Sequence, residues 1–189
     1  MKKILLIFIF TLMASAKIEL PENFITDFEQ TIINDKGKKI NYSGNVAFKQ
    51  VREILIGEDG TQKEFVSKFF KWNYKKPTDK EVCSDGVEII VIDHDLEQVS
   101  KYLIDDGLDL EKVLKVAEQI SNRDYKAVYK DVEYLITLNN KGELEKIFYT
   151  DSLDNRVKII FKNMRYDVDS FSDKLLECDM PQDYDIIEG

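Results

Sequence analysis

The sequence contains few of the residues from which catalytic and metal sites are built. Its 189 residues include one histidine and two cysteines, and no Cys-x-x-Cys pair, phosphate-binding glycine loop or nucleophile-elbow motif occurs. Asp93-His94-Asp95 is an acid–base candidate, but three consecutive strand residues point to alternate faces and do not converge. These absences favour a binding protein over an enzyme, and they predict neither a metal nor a cofactor.

Proline and glycine are also scarce, at three and eight residues, which argues against linkers and low-complexity segments. Hydrophobic residues make up 43% of the chain, enough for a sizeable core in a single domain. The formal net charge of −9 argues against the basic surface that a nucleic-acid-binding protein needs.

The N-terminal residues have the pattern of an export signal. Two lysines precede a short apolar stretch that ends at the A-x-A cleavage pattern Ala14-Ser15-Ala16. The stretch is shorter than the roughly 17–25 residues of a membrane-spanning helix, which disfavours a membrane anchor. We therefore expect a cleaved signal peptide at residues 1–16 and an exported, soluble domain at residues 17–189.

Hydrophobic periodicity predicts a mainly β domain with two helices. The spacing of Phe24, Phe28 and Ile32 predicts a helix over residues 21–33, and a similar pattern predicts another over residues 110–120. Between and after them, apolar residues alternate with a period of two and turn residues separate the runs, which predicts an antiparallel meander. The strands expected after the second helix are residues 125–130, 134–139, 144–150, 156–164 and 175–178.

The two cysteines, Cys83 and Cys178, allow one intramolecular pairing. Export to an oxidising compartment favours a disulfide between them. The alternative is a pair of buried free thiols that do not meet.

One face of the predicted sheet carries an unusual number of aromatic and branched side chains. Periodicity alone does not distinguish the lining of a ligand cavity from an ordinary packed core. The residues on this face are Tyr42, Val46, Phe48, Phe70, Trp72 and Tyr74.

Three short motifs in order resemble the periplasmic outer-membrane lipoprotein carrier family, LolA. Residues 70–77 read FKWNYKKP, residues 84–86 read SDG and residues 93–99 read DHDLEQV. The family shows F-x-W-x-y-x-x-P, S-D-G and an l-E-Q-v segment at this spacing. An early FITDFEQ at residues 24–30 and the ending PQDYDII at residues 181–187 extend the resemblance over nearly the whole mature chain.

The resemblance implies a mainly β (α+β) fold, a single antiparallel, unclosed β-barrel or half-barrel with helices forming a lid over a hydrophobic cavity. It implies a monomeric periplasmic carrier that takes acylated lipoproteins from an inner-membrane ABC transporter to an outer-membrane receptor. The alternative is a lipid- or lipoprotein-sensing regulatory module of the same fold. The expected cavity residues are the six named above together with Ile90, Ile92, Leu110 and Leu114.

One departure from the family pattern concerns the residue that holds the lid. The family has an R-P-x-x-F-x-W motif with a latch arginine, whereas here Ser67-Lys68 precedes the aromatic strand after an insertion at residues 52–64. Arg52 and Lys68 are the latch candidates, and Arg52 is favoured because a lysine cannot reproduce a guanidinium fork. The insertion is predicted to be a hairpin tip whose apolar arm extends over the cavity mouth, with a disordered surface loop as the alternative.

Overall fold

A computed structural model describes residues 18–57, 59–84, 86–103 and 110–188. The predicted signal peptide lies outside the described residues. The strands are β1 Asn23–Ile33, β2 Lys39–Ile56, β3 Gln62–Lys76, β4 Lys80–Ser84, β5 Glu88–Asp93, β6 Gln98–Leu103, β7 Glu118–Gln119, β8 Asp124–Tyr129, β9 Val132–Leu138, β10 Leu144–Thr150, β11 Arg156–Tyr166 and β12 Asp185–Glu188. A six-residue helix, α1 Leu110–Lys115, and a 3₁₀ turn at Asp173–Leu176 complete the described elements.

All twelve strands belong to one open sheet. Their spatial order is β12-β6-β5-β4-β3-β2-β1-β11-β10-β9-β8-β7. Every neighbouring pair is antiparallel except β12 and β6, which run parallel. The prediction of a mainly β, unclosed antiparallel sheet is therefore confirmed.

The helix predicted over residues 21–33 is wrong, because this segment is strand β1. Phe24 and Phe28 are four residues apart, a spacing that suits one face of a helix and also one face of a strand. Thr26, between them, is buried as well, so the true period is two. Five β-branched residues in the segment also favour the extended conformation.

Two other predicted elements differ from the structure. The helix expected over residues 110–120 ends at Lys115, and the chain then joins the sheet edge as β7. The strand expected at residues 175–178 is replaced by the 3₁₀ turn, while β12 further along pairs with β6. Of the two predicted lid helices, the structure thus contains one short helix.

The sheet has a core on each of its faces. The larger core lies on its concave side, where Val113 and Leu114 of α1 belong to the same buried cluster as the strand residues Ile136 and Ile147. A smaller core lies on the outer face of β4–β6, where Ile90, Ile92 and Val99 contact Cys178 and Tyr184 of the C-terminal segment. The C-terminal segment therefore covers the outer face and leaves the concave face to α1.

The hairpin of β2 and β3 projects beyond its neighbours in the sheet. β1 pairs with β2 only as far as Lys49, and β4 pairs with β3 only from Phe70 onward. Residues 51–56 and 62–67 pair with each other alone within the described part of the chain. This two-stranded ribbon is about 20 Å long at 3.4 Å per residue.

Candidate apolar cavity

The concave side of the sheet encloses an apolar cavity of about 550 Å³. Its floor is a row of alternate β3 residues, Val66, Lys68, Phe70, Trp72 and Tyr74, which point to one face because side chains alternate along a strand. The neighbouring strands add further apolar walls. The lining residues outside β3 and α1 are Leu20, Phe24, Gln30, Val46, Phe48, Val82, Gly86, Ile89, Tyr129, Lys130, Ile147, Tyr149, Ile159 and Phe161.

Aromatic rings pack closely along the cavity floor. The Phe28 ring meets those of Trp72 and Tyr74 edge to face, with centroids 4.9 and 5.0 Å apart. The Phe24 and Phe48 rings are stacked with centroids 5.0 Å apart. Such rings supply a large apolar area with little rotamer entropy, which gives a rigid apolar wall.

Gly44 allows this wall to be built. A Cβ atom at position 44 would lie 1.8 Å from the Asn73 backbone oxygen and 3.0 Å from the Phe28 ring. The strands β2 and β3 therefore approach each other, beneath the Phe28 ring, at a separation that only a residue without a side chain permits.

Six of the ten predicted cavity residues line the cavity. They are Val46, Phe48, Phe70, Trp72, Tyr74 and Leu110. Tyr42 is not among the lining residues, but its ring lies edge to face with that of Tyr74 at 5.7 Å. Leu114 lies one helical turn beyond Leu110 and is buried in the core instead.

The prediction that Ile90 and Ile92 line the cavity is wrong. Ile89 lines it, and since neighbouring strand residues point to opposite faces, Ile90 and Ile92 lie in the outer core. Cys83 pairs directly with Ile90 in the β4–β5 register and so faces the same side.

The C-terminal segment is attached to this outer face at three points. Cys83 and Cys178 form a disulfide with Cα atoms 6.3 Å apart. Lys71 Nζ donates a hydrogen bond to the Glu177 carbonyl oxygen at 2.8 Å, and Lys49 Nζ lies 2.6 Å from an Asp173 carboxylate oxygen. The disulfide therefore lies behind the cavity wall and not in the cavity.

The two latch candidates occupy different places. Lys68 lines the cavity, and its Nζ lies 2.7 Å from Glu111 Oε2 of α1. Arg52 instead forms an ion pair with Glu64 across the projecting ribbon, at 3.2 Å. The ion pair to α1 therefore comes from Lys68, and these contacts favour Lys68 over Arg52 as the latch candidate.

The tip of the ribbon carries large apolar side chains that remain exposed. The exposed fractions are 65% for Ile54, 54% for Leu55, 70% for Ile56 and 52% for Phe65. Ile54 and Ile56 share a face with Val66 of the cavity floor, whereas Leu55 and Phe65 lie on the opposite face. Both faces of the tip therefore carry exposed apolar side chains.

Sequence reasoning missed the lining residues on β1, β10 and β11. Gln30 was overlooked because its strand had the spacing of a helix. Tyr149, Ile159 and Phe161 lie in strands that the pattern did identify. Apolar residues adjoin them in the sequence, so the pattern did not indicate which face is inward, and knowledge of which strands lie side by side was the missing element.

An open antiparallel sheet around an apolar cavity, with a short helix at the cavity's edge, is an arrangement suited to binding a hydrophobic ligand. Within the described ranges, no group of acidic, histidine and cysteine side chains has the geometry of a metal site. No helix among those residues has the length and apolar character needed to cross a membrane.

Comparison with known proteins identifies the family. The profile described as "Outer membrane lipoprotein carrier protein LolA" matches residues 68–175, and the chain belongs to this family. It is 30% identical over 154 residues to the outer-membrane lipoprotein carrier protein of Wolinella succinogenes, covering 82% of this chain and 80% of that one.

One further relative agrees with this membership. The outer-membrane lipoprotein carrier protein of Campylobacter jejuni is 28% identical over 188 residues, which cover 99% of both chains. A crystal structure of a LolA superfamily protein from Nitrosomonas europaea is 11% identical, covers 85% of this chain and 93% of that one, and has a TM-score of 0.45.

Proposed function

We propose that this protein is a periplasmic carrier that binds the acyl chains of lipoproteins released from the inner membrane and delivers them to an outer-membrane receptor. The apolar cavity of about 550 Å³ is the observation that carries the proposal. Its volume lies within the range of about 300–1,000 Å³ typical of ligand sites. The relatives' names and the export-signal pattern support the same role.

The open edges of the sheet bear on how much cargo the cavity holds. The two edge strands among the described residues, β12 and β7, are the ends of the strand order and do not pair with each other. A sheet whose two edges do not meet can widen for a cargo with two or three acyl chains.

In this proposal α1 is the movable part of the cavity wall. It contributes Leu110, Glu111 and Lys112 to the lining, and the Lys68–Glu111 ion pair joins it to β3. A six-residue helix has little stability of its own. Its position therefore depends on these contacts, as expected of a cover that must open for cargo.

The ribbon tip is the second element of the proposal. Its residues Ile54 and Ile56 continue the face of the cavity floor outward, so they can contact the cargo or a partner protein at the rim. Deleting residues 53–63 is expected to slow loading and transfer without unfolding the domain, since loop shortening changes the chain entropy only slightly. Normal loading and transfer by the deletion variant would show that the ribbon is a passive insertion.

Binding of an acylated peptide to the mature protein tests the carrier function directly. Trp72 is the only tryptophan and lines the cavity, so its emission is expected to shift and to become less accessible to quenchers as an acyl chain enters. Val46→Asp and Phe70→Asp should weaken binding because each places a charge in the apolar wall.

Leu153→Asp provides the matched control, because Leu153 is exposed and lies outside the cavity lining. Circular dichroism of each variant separates a folding defect from a binding defect. An unchanged Trp72 spectrum at saturating acyl peptide would contradict the proposed site.

A further inference from the structure

Four tyrosines gather around one part of the cavity, where purely apolar side chains would be expected. The Tyr42 and Tyr74 rings have centroids 5.7 Å apart, and those of Tyr134 and Tyr149 are 5.1 Å apart. Tyr74 and Tyr149 line the cavity together with Gln30, which pairs directly with Tyr42 in the β1–β2 register. Two phenol hydroxyls and a carboxamide therefore share one cavity wall.

Two other half-buried tyrosines have a partner for their hydroxyl within the chain. The Tyr166 hydroxyl accepts a hydrogen bond from the Leu144 backbone N–H at 2.9 Å, and that of Tyr184 lies 3.0 Å from His94 Nδ1. Across the described residues, no such bond joins the Tyr74 or Tyr149 hydroxyl to another group of the chain. Neither hydroxyl is among the fully buried polar atoms without a partner in the described ranges, so both are accessible to a ligand that enters the cavity.

We propose that Tyr74, Tyr149 and Gln30 form a polar subsite that donates hydrogen bonds to the ester carbonyl oxygens of a bound acyl ligand. The inference rests on the proposed carrier function and adds a specificity to it. The apolar wall alone binds any alkyl chain at any depth. A donor group at one place would fix where along the ligand the ester linkage lies.

Burial keeps both hydroxyls protonated and able to donate a hydrogen bond. Burial, with smaller contributions from Tyr149 and Tyr42, raises the pKa of Tyr74. Burial, with smaller contributions from Tyr134 and the Asp151 carboxylate, raises the pKa of Tyr149 to about 12. An ester carbonyl oxygen is a neutral acceptor that such a hydroxyl can bind.

A pair of matched probes tests the subsite. One is a diacylglyceryl-cysteine peptide with two ester-linked hexadecanoyl chains, and the other is its dihexadecyl ether analogue, which lacks both carbonyl oxygens. Calorimetric titration of the mature protein should show tighter binding of the ester, by about two- to tenfold for each hydrogen bond formed. Tyr74→Phe and Tyr149→Phe should each reduce that preference, and the double variant should lose most of it, with only the contribution of Gln30 remaining, while its affinity for the ether stays unchanged.

Tyr184→Phe removes a hydroxyl on the outer face and should keep the full preference for the ester, while thermal melting verifies that each variant is folded. Equal binding of the two probes by the wild-type protein would overturn the subsite and leave the carrier function standing. Retention of the preference by the double variant would overturn it likewise. Failure of the wild-type protein to bind either probe would overturn both proposals.

Discussion

Breaking the ion pair between Lys68 and Glu111 is expected to loosen α1 and speed the release of cargo. The two charges are 2.7 Å apart, and their side chains are only 24% and 30% exposed. Exposed ion pairs contribute about 0.2–1 kcal/mol, and partial burial places this pair near the upper limit, at about 1 kcal/mol. That value corresponds to about a fivefold change in an equilibrium or rate constant.

The Arg52–Glu64 pair provides a control within the same hairpin. Its side chains are 50% and 56% exposed and its charges are 3.2 Å apart, so its contribution should be about 0.3 kcal/mol. A double-mutant cycle built from Lys68→Met and Glu111→Gln is compared with one built from Arg52→Met and Glu64→Gln. Lys68 has a further interaction besides Glu111, so only the cycle, and not the single Lys68 variant, isolates the pair.

Two readouts follow the loosening of α1. The release rate of a bound acyl peptide, monitored by Trp72 emission, should rise about fivefold on loss of the pair. Amide hydrogen exchange in Leu110–Lys115 should accelerate by a similar factor, because local opening becomes that much easier. Both effects should shrink at high salt, which screens partly exposed charges. A coupling energy no larger than that of the control cycle, with unchanged exchange in α1, would refute the assignment of Lys68 as the latch.

Three further outcomes are expected. Thiol titration of the denatured, unreduced protein should find no free thiol, and two titratable thiols per chain would contradict the disulfide. Replacing Cys83 and Cys178 by alanine should lower the unfolding free energy by about 4–5 kcal/mol, since the bridge spans 95 residues. Gly44→Ala should lower the free energy of unfolding in urea by about 3 kcal/mol or more, because the new Cβ clashes with Asn73. The control Gly142→Ala should change it by about 1 kcal/mol, because only the backbone is strained there (φ 84°). Equal effects of the two substitutions would contradict the close approach of β2 and β3. The pKa of Tyr149 is about 12 in the fold and about 10 in the unfolded chain, so the unfolded chain loses this proton first as the pH rises. The free energy of unfolding should therefore fall by about 2 kcal/mol between pH 10 and 12. A Tyr149→Phe variant that loses the same stability at alkaline pH would refute Tyr149 as the cause.

The parts of the fold that local pattern could predict are those with clear turn residues at both ends of a strand. Strand β10 was predicted with the bounds it has, Leu144–Thr150, because turn residues at 140–142 and 151–155 flank it. Strand β1 was not, since Phe24 and Phe28 satisfy both the helical and the extended period. Choosing between the two required the pairing of β1 with β2 and β11, which local sequence does not contain.

The wrong placement of Ile90 and Ile92 has a different cause. Residues 87–92 include Val87, Ile89, Ile90, Val91 and Ile92, and such a continuous apolar run gives no indication of which face is inward. What decides the matter is the C-terminal segment, which covers the outer face through Cys178 and Tyr184. A contact between residues nearly one hundred positions apart determined the orientation of β5 relative to the cavity.

The energetics of acyl binding explain why the apolar contacts should not end at the cavity. One 16-carbon chain, at about 0.8 kcal/mol per buried methylene, corresponds to about 12 kcal/mol, or a dissociation constant near 1 nM. With association at about 10⁵–10⁷ M⁻¹s⁻¹, release into water would take on the order of minutes to hours. Transfer through a continuous apolar path avoids that barrier, because the chain is never fully hydrated. In the proposed carrier function, the exposed side chains of Ile54 and Ile56, on the same face as the cavity floor, would provide such a path outward from the cavity.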